Sequence, residues 1–193
     1  MFNLFKKSSP NEQAAMQAGN NDARAALLWK QGSRLLERKK YARALEVMKQ
    51  AVELQPSRLE GRLNLGAALF LAHNCEEAIG HFRYVLAFDE QNTTALLNLA
   101  AAHDALGQMD ESIATLETLI ERRPQWRDAH YNLGVAYYKQ RDYFKAEDAL
   151  RAELLLNAEH APARELLNTI YRLPHIKKPD ASTPEIDRTH NKK

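Results

Sequence analysis

The stretch AHYNLGVAYYKQRDYFKAEDAL, residues 129–150, decides the fold. It places apolar residues at helical spacing on both sides of a short polar turn, and it holds a glycine, Gly134, inside the first helical segment. Glycine in a helix interior costs about 1 kcal/mol relative to alanine, so a neighbouring structure must need the space that a side chain would fill. We therefore expect Gly134 to lie where two helices cross closely.

The same feature recurs in steps of 34 residues along the chain. The periodic small residues are Gly32, Gly66, Ala100 and Gly134. A second small residue follows twelve positions after each of them, at Ala44, Ala78, Ser112 and Ala146. This separation suits two antiparallel helices joined by a short turn, each contributing a small residue where the helix axes cross. The spacing predicts four helical hairpins of equal length.

The hairpins can be placed end to end along most of the chain. The predicted units are 25–58, 59–92, 93–126 and 127–160. Gly107 suits a left-handed helix end, and Pro56 and Pro124 stop the second helices of their units. No stretch shows sustained alternation of apolar and polar residues with turn punctuation, so strands are not expected.

The residues outside these units are predicted to form a cap and two tails. Residues 161–173 form an amphipathic helix placed to cover the apolar face of the last unit. Residues 174–193 hold three prolines and few apolar residues, which predicts a disordered tail. Residues 1–24 are predicted to be a flexible segment, with a short helix at EQAAMQA ended by Gly19 as an open alternative.

Composition restricts the class of protein. Apolar residues make up 45% and charged residues 27% of the 193 residues, as in a folded protein. The net charge of +2 gives no reason to expect nucleic acid as a partner. The single cysteine, Cys75, excludes an intramolecular disulfide and is compatible with a reducing compartment. No apolar run is long enough to span a membrane, and the N-terminus lacks the features of a secretory signal, so we expect a cytoplasmic protein.

The quoted stretch closely resembles the tetratricopeptide repeat, whose pattern has a mid-helix glycine, a following tyrosine, a turn tyrosine and a second-helix alanine. Gly134, Tyr137, Tyr143 and Ala146 meet this pattern, and the resemblance covers about 25–160 together with the capping helix. It implies an all-α fold: a right-handed superhelix of four helix-turn-helix tetratricopeptide repeats plus a C-terminal capping helix. It also implies a concave groove, lined by the first helices, that commonly binds peptides.

The resemblance assigns one face of each first helix to this groove. The residues expected there are Trp29, Leu63, Asn64, Ala67, Phe70, Leu97, Asn98, Ala101, Asp104, Tyr131, Asn132, Val135 and Tyr138. Most are apolar or small, which leaves room for another chain. Lys30 and Lys139 stand near the edges without a central cationic cluster, so we expect an apolar helix or an apolar and polar segment rather than a clamped carboxylate.

Three asparagines form a second series on the first helices, at Asn64, Asn98 and Asn132. Each amide offers a donor and an acceptor, which suits the alternating groups of an extended peptide backbone. Helices packed about 10 Å apart would space these amides by about three extended residues. The series predicts a grip on main chain, and the alternative is that the asparagines bind only neighbouring helices or water.

Departures from the repeat pattern raise further questions. Gln31 stands where the later units have leucine, and Glu153 falls at a position that should pack on the next helix. A buried carboxylate needs a partner, for which Arg164 is the candidate, and the alternative is that Glu153 reaches water. The aromatic residues, among them Phe88 and Trp126, have the spacing of core residues.

The sequence offers little support for catalysis. The seven histidines lack metal-ligand spacing, and neither a phosphate-binding glycine loop nor a nucleophile elbow occurs. His73 and Cys75 lie with Glu76 and Glu77 in a turn, for which a solvated turn is favoured over a ligand cluster. We expect no catalytic residue, no bound metal and no cofactor.

The resulting hypothesis is a non-enzymatic interaction adaptor or scaffold that binds a partner peptide or helix in the groove. The alternative is an assembly or targeting factor at a membrane surface, which would place the protein at the periphery of a membrane. Its contact with the membrane would be the N-terminal segment, through Phe2, Leu4, Phe5, Lys6 and Lys7.

Overall fold

The computed structural model describes residues 10–173, with side chains described from Gln17 onward. Every regular element in this range is an α-helix, which confirms the all-α fold class. The helices are α1 (Pro10–Glu37), α2 (Tyr41–Leu54), α3 (Leu59–Leu71), α4 (Cys75–Phe88), α5 (Thr93–Ala105), α6 (Met109–Arg122), α7 (Ala129–Lys139), α8 (Tyr143–Leu156) and α9 (Ala161–Tyr171).

The helices form two compact units that divide after Pro124. In the first unit α1 pairs with α2, α3 with α4 and α5 with α6, and the hairpins stack through α2 on α3 and α4 on α5. In the second unit α7 pairs with α8, and α9 packs on α8. Helix α9 falls within the segment predicted to cap the last hairpin.

The periodic glycines accept a large side chain from the second helix of their own hairpin. A β-carbon on Gly134 would lie only 2.7 Å from Leu150 Cγ, and the other two glycines of the series meet their partners at 2.6 Å. The pairs are Gly32 with Met48, Gly66 with Phe82 and Gly134 with Leu150. The predicted close approach of the residue twelve positions on is observed for Gly134, whose added β-carbon would lie 3.3 Å from the Ala146 carbonyl oxygen, and the facing side chain sixteen positions on is a further contact that the sequence did not reveal.

The small residues that lie twelve positions apart approach each other through backbone carbonyl groups. Ser112 Oγ donates a hydrogen bond of 2.9 Å to the carbonyl oxygen of Ala100, and both residues are buried. The carbonyl oxygen of Ala146 lies 3.3 Å from the position of a β-carbon on Gly134. The two small residues of a hairpin thus bring the helices close enough for the larger side chain to fill the crossing.

Each hairpin turn contains one residue in the left-handed conformation. Gly107 has φ +73°, as predicted. The equivalent residues of the other turns are Lys39, His73 and Arg141, with φ between 56° and 65°. At each turn the following N–H reaches back five residues, as in the 3.0 Å bond from Asp142 to the carbonyl of Tyr137. This is the Schellman arrangement that ends a helix, and three of the four turns adopt it without glycine.

Helix α1 continues through the predicted N-terminal break. Gly19, Asn20 and Asn21 lie inside one helix from Pro10 to Glu37, so the expectation of a flexible segment with a short helix ended by Gly19 is wrong for residues 10–24. A helical glycine costs only about 1 kcal/mol, which a long helix tolerates. Proline suits the first helical position, where its missing N–H would have no partner.

Helix α7 begins two residues later than the repeat spacing predicts. Asn92 precedes α5, and its side chain accepts a hydrogen bond from the N–H of Ala95. His160 precedes α9 and accepts in the same way from the N–H of Ala163. Trp126 holds the equivalent position before α7, and its indole can donate a hydrogen bond but cannot accept one. Helix α7 begins at Ala129, with Asp128 as its N-cap residue at φ +62°. The missing cap alone does not explain this start, because Arg58 also makes no side-chain cap and α3 still begins at Leu59.

One hydrophobic cluster of the first unit joins α2 to α5 and is formed by aliphatic residues, one methionine and one phenylalanine. Its buried members are Leu45, Met48, Val52, Leu65, Ala68, Leu69, Ala78, Ile79, Phe82, Leu99 and Ala102. Two aromatic residues predicted as core are exposed instead: Phe88 by 68% and Trp126 by 37%. Both stand at the end of, or just after, a second helix, where the spacing of core residues no longer ensures that another element covers them.

Candidate functional site

The predicted groove residues of the first unit lie on α1, α3 and α5. None of them is fully buried, although Leu63 and Phe70 pack partly against the core. Trp29 is half-buried because its indole ring lies over Gly61 at the start of α3, where a β-carbon would be 2.8 Å from Trp29 Cζ2. The first helices therefore present a face that is apolar and still partly accessible.

Asn64 and Asn98 lie on this face of α3 and α5 in the first unit, and Asn132 lies on α7 in the second unit. Asn64 is exposed, and Asn98 and Asn132 are half-buried. Their side-chain amides make no hydrogen bond to another residue within 17–173. Among the described residues, the alternative that these amides bind neighbouring helices is not observed, and their donors and acceptors remain available to water or a ligand.

The second unit contains a cleft between α7 and α9. It has a volume of about 420 Å³. Its lining residues are Tyr131, Val135, Tyr138 and Lys139 from α7, and Pro162, Glu165, Leu166 and Thr169 from α9. Three of the α7 residues are predicted groove residues. The α9 residues were missed because the helix was interpreted only as a cap, although their spacing of three and four residues places them on one face.

A polar cluster lies beside this cleft, at the base of α7 and α9. Glu153 is only 2% exposed, and its Oε2 accepts the backbone N–H of Tyr131 at 3.3 Å. His160 Nε2 lies 3.0 Å from Asp128 Oδ1 and 4.0 Å from Glu153 Oε1. The imidazole ring also packs against the Tyr131 ring, with centroids 4.8 Å apart. The cluster thus holds Tyr131, the first residue of the cleft, from its backbone and from its ring.

The hydrogen bonds of His160 define the chemistry of the cluster. Its Nδ1 accepts the N–H of Ala163 at 3.0 Å and so caps α9. A neutral imidazole must then carry its proton on Nε2, which donates to Asp128. The ligand atoms of Asp128, Glu153 and His160 lie within 4.8 Å of one another, but a metal on Nε2 would move the proton to Nδ1 and break the cap. The geometry favours a hydrogen-bond network.

The predicted partner of Glu153 was wrong. Arg164 lies near Glu159, at 3.8 Å, and donates to the carbonyl of Ala158. The alternative, that Glu153 reaches water, is also wrong because the side chain is buried. His160 faces Glu153 instead, and no sequence signal reveals this, because the contact depends on how α9 is placed on α8.

Other predicted features stand apart from these sites or outside the described residues. Cys75 is buried at the start of α4 and His73 is exposed in the preceding turn. The proposed membrane contact, residues 2–7, and the predicted tail, 174–193, lie outside the described residues. None of the helices between residues 10 and 173 is both long enough and apolar enough to cross a bilayer.

Equal hairpins with closely crossed helices and left-handed turns define a helical-repeat protein. Family models described as tetratricopeptide repeat match residues 30–93, 69–131 and 128–152. The chain belongs to the tetratricopeptide repeat family.

Known proteins and solved structures share this architecture. The chain is 30% identical over 92 residues to the Hsp70-Hsp90 organizing protein of Triticum aestivum, covering 48% of this chain and 16% of that protein. A tetratricopeptide repeat protein from Parabacteroides merdae has a TM-score of 0.69 at 23% identity, covering 77% of this chain and 59% of that structure. YrrB, described as having an unusual peptide-binding site, has a TM-score of 0.67 at 20% identity, covering 75% of this chain and 74% of that structure.

Proposed function

We propose that this chain is a non-enzymatic interaction scaffold that holds a peptide or helix of a partner protein against the first helices of its hairpins. The cleft between α7 and α9 carries this proposal. Tyr131, Val135 and Tyr138 from α7 and Leu166 from α9 surround an accessible hollow of about 420 Å³. Accessible apolar hollows with a few polar groups at the edge are typical of binding sites, because a ligand gains by removing apolar surface from water.

The asparagine series adds a means of binding a main chain. The amides of Asn64, Asn98 and Asn132 have no hydrogen-bond partner among the described side chains and backbone, so a peptide does not have to displace one. A peptide backbone alternates donors and acceptors, and each amide can satisfy one of each. Within the first unit, Asn64 and Asn98 would hold an extended segment with little demand on its sequence.

The relatives' names support the same class of function. The wheat relative is named Hsp70-Hsp90 organizing protein, and YrrB is described as having an unusual peptide-binding site. The match spans only 16% of the wheat protein, so its partners are not transferred to this chain.

Affinity purification from the native cell tests the proposal. The bait variant combines Asn64→Ala, Asn98→Ala, Asn132→Ala and Leu97→Glu, and a second variant carries Val135→Glu. The matched control carries Leu155→Glu and Asn168→Ala, both on exposed positions outside the proposed face. We expect the main partner to be lost from both bait variants and kept by the control, while helical circular dichroism is unchanged.

Recovery of the same partners with the bait variants would overturn the proposal. Loss of the partner from the control as well would also contradict it, because binding would then depend on surface outside the first helices. An activity of the purified chain that survives the groove substitutions would contradict the non-enzymatic part of the proposal.

A further inference from the structure

The first hairpin leaves open a face of α1 whose central positions are buried in the later hairpins. The α1 open face consists of Leu27, Lys30, Gln31, Arg34, Leu35 and Arg38. Leu27 is 69% exposed, Leu35 is half-buried, and the other four are exposed. These residues recur at helical spacing, so they form one continuous surface.

The equivalent positions in the next hairpins receive a helix. Thirty-four residues after Gln31, Arg34 and Leu35 come Leu65, Ala68 and Leu69, which are buried where α3 packs on α2. Another repeat further on, Leu99 and Ala102 are buried where α5 packs on α4. The fold therefore shapes this face of a first helix to accept a second helix, and on α1 no described helix occupies it.

The chemistry of the α1 open face differs from that of its buried counterparts. Between residues 24 and 43 the chain has seven basic residues and one acidic residue, whereas the whole chain has a net charge of only +2. The basic residues are Arg24, Lys30, Arg34, Arg38, Lys39, Lys40 and Arg43. All seven are exposed, and none forms an ion pair with another residue in the described range. The cations are therefore concentrated at one end of the first unit.

The face also contains a hollow. A cleft of about 370 Å³ is lined by the six residues of the α1 open face, with Leu27 and Leu35 among the cations. If the only role of this face were to make the end of the repeat array soluble, it would need polar residues. Positive and negative charges would meet that need equally well. A single sign of charge around exposed leucines is instead complementary to an acidic, amphipathic surface.

We propose that the α1 open face binds an acidic amphipathic helix of a partner protein. The helix lies where a preceding hairpin would place its second helix. Its apolar ridge contacts Leu27 and Leu35, and its flanking carboxylates pair with Lys30, Arg34 and Arg38. This site borders the first-helix face of the proposed function at Lys30, which lies 34 residues before Asn64, but it does not depend on that function.

A pair of synthetic peptides tests the inference with the full chain. The first is a fluorescein-labelled helix of about five turns, with leucine along one face and glutamate on the flanking positions. Its twin has lysine in place of every glutamate. Fluorescence anisotropy should show saturable binding of the glutamate peptide at about 50 mM salt, weaker binding at about 300 mM, and no binding of the lysine twin.

Two variants locate the binding surface. Arg34→Glu with Arg38→Glu should weaken binding of the glutamate peptide about tenfold or more, because it replaces attraction by repulsion. Leu27→Ala should weaken it a few fold through lost apolar contact. The matched controls are Arg83→Glu and Leu155→Ala, exposed residues of α4 and α8, which should leave the affinity unchanged. Circular dichroism verifies that every variant keeps its helix content.

Four outcomes of the peptide experiment overturn the inference. The first two are that the glutamate peptide does not bind at low salt, or that the lysine twin binds equally well. The other two are that the control variants lose as much affinity as the test variants, or that the Arg34 and Arg38 double variant keeps its affinity for the glutamate peptide. Phosphatidylserine vesicles and a short DNA duplex are measured in parallel. If either binds more tightly than the glutamate peptide and is released by the same double variant, the face serves a membrane or a nucleic acid and the proposed helix partner is wrong.

Discussion

Leu150 fills the space that the missing side chain of Gly134 leaves. Its Cγ lies 2.7 Å, and its Cδ2 2.8 Å, from the position of a β-carbon on Gly134. Both residues are buried, and Leu150 is fully inaccessible. Glycine is therefore present at this position because the facing leucine occupies the volume, and the crossing of α7 and α8 depends on this pair.

Gly134→Ala should lower the free energy of unfolding by about 1–3 kcal/mol. Alanine would gain about 1 kcal/mol in helix propensity, but its β-carbon would force Leu150 or the backbone of Ala146 to move. The measurement is urea denaturation followed by circular dichroism. Gly80→Ala is the matched control, because Gly80 is a helical glycine with nothing within 4 Å of the added carbon, and it should stabilise by about 0.5–1 kcal/mol. Equal effects of the two substitutions would contradict this account of Gly134.

Glycine at the other left-handed turns should stabilise the hairpins. Arg141 has φ +65°, a conformation that costs a residue with a β-carbon about 1–2 kcal/mol. Arg141→Gly should therefore raise the free energy of unfolding by roughly 0.5–1 kcal/mol, once the greater backbone entropy of unfolded glycine is included. Gly107→Ala, the reverse change at the equivalent turn, should lower it by a similar amount. A destabilising Arg141→Gly would mean that the side chain contributes more than the strain costs.

His160 should contribute more to stability than an ordinary N-cap. Its Nδ1 caps α9 while its Nε2 binds Asp128 beside the buried Glu153. His160→Ala loses both interactions, and we expect a cost of about 1–2 kcal/mol, with His160→Asn intermediate because asparagine keeps a cap acceptor. Asn92→Ala removes the cap of α5 and is the comparison, at about 1 kcal/mol. In urea titrations, a His160→Ala cost no larger than that of Asn92→Ala would contradict a role for the Asp128 bond.

Zinc should not stabilise the protein. The proton on His160 Nε2 is held by the bond to Asp128, and binding a metal there requires breaking the cap of α9. The melting temperature should therefore be the same with a slight molar excess of Zn²⁺ and with a chelator. An increase with Zn²⁺ that disappears in Glu153→Gln would show that the Asp128, Glu153 and His160 cluster binds a metal after all.

Stability should decrease in weak acid through His81. Burial, followed by the nearby Arg62 charge, lowers the pKa of His81 below its usual 6.5. The unfolded chain therefore takes up this proton at a higher pH than the folded chain, and the contribution of neutral His81 is lost as the pH falls below about 6.5. His81→Leu should reduce the loss of stability between about pH 7 and 5.

The same variant also tests the buried nitrogen of His81. Its Nδ1 has no hydrogen-bond partner among the described residues, so leucine should be neutral or slightly stabilising at pH 7. His73→Asn is the control, since His73 is exposed and asparagine tolerates its positive φ. Superimposable pH profiles for the parent and His81→Leu would contradict the role assigned to His81.

Features that repeat within the chain could be predicted from sequence, and features that depend on one contact could not. The left-handed residue of the Gly107 turn could be predicted, because glycine adopts positive φ readily. Lys39 and Arg141 also have positive φ, but lysine and arginine do not favour that conformation, so nothing in the sequence indicates it. The groove residues on α7 follow from the repeat register, but the α9 side of the cleft does not, because the capping helix lies outside the repeat. The role of the α7 and α9 cleft residues in binding stays a prediction.

The amino-acid sequence by itself determined the number, length and internal pairing of the hairpins. A glycine or alanine every 34 residues, followed by a second small residue and by helical apolar spacing, leaves closely crossed helix pairs as the arrangement that buries the apolar faces. Tertiary structure alone decided that Glu153 faces His160 and that α9 closes a cleft with α7. The reason is physical: a repeat period is encoded in residues close along the chain, whereas a polar contact or a cleft depends on where separate helices come to rest against each other.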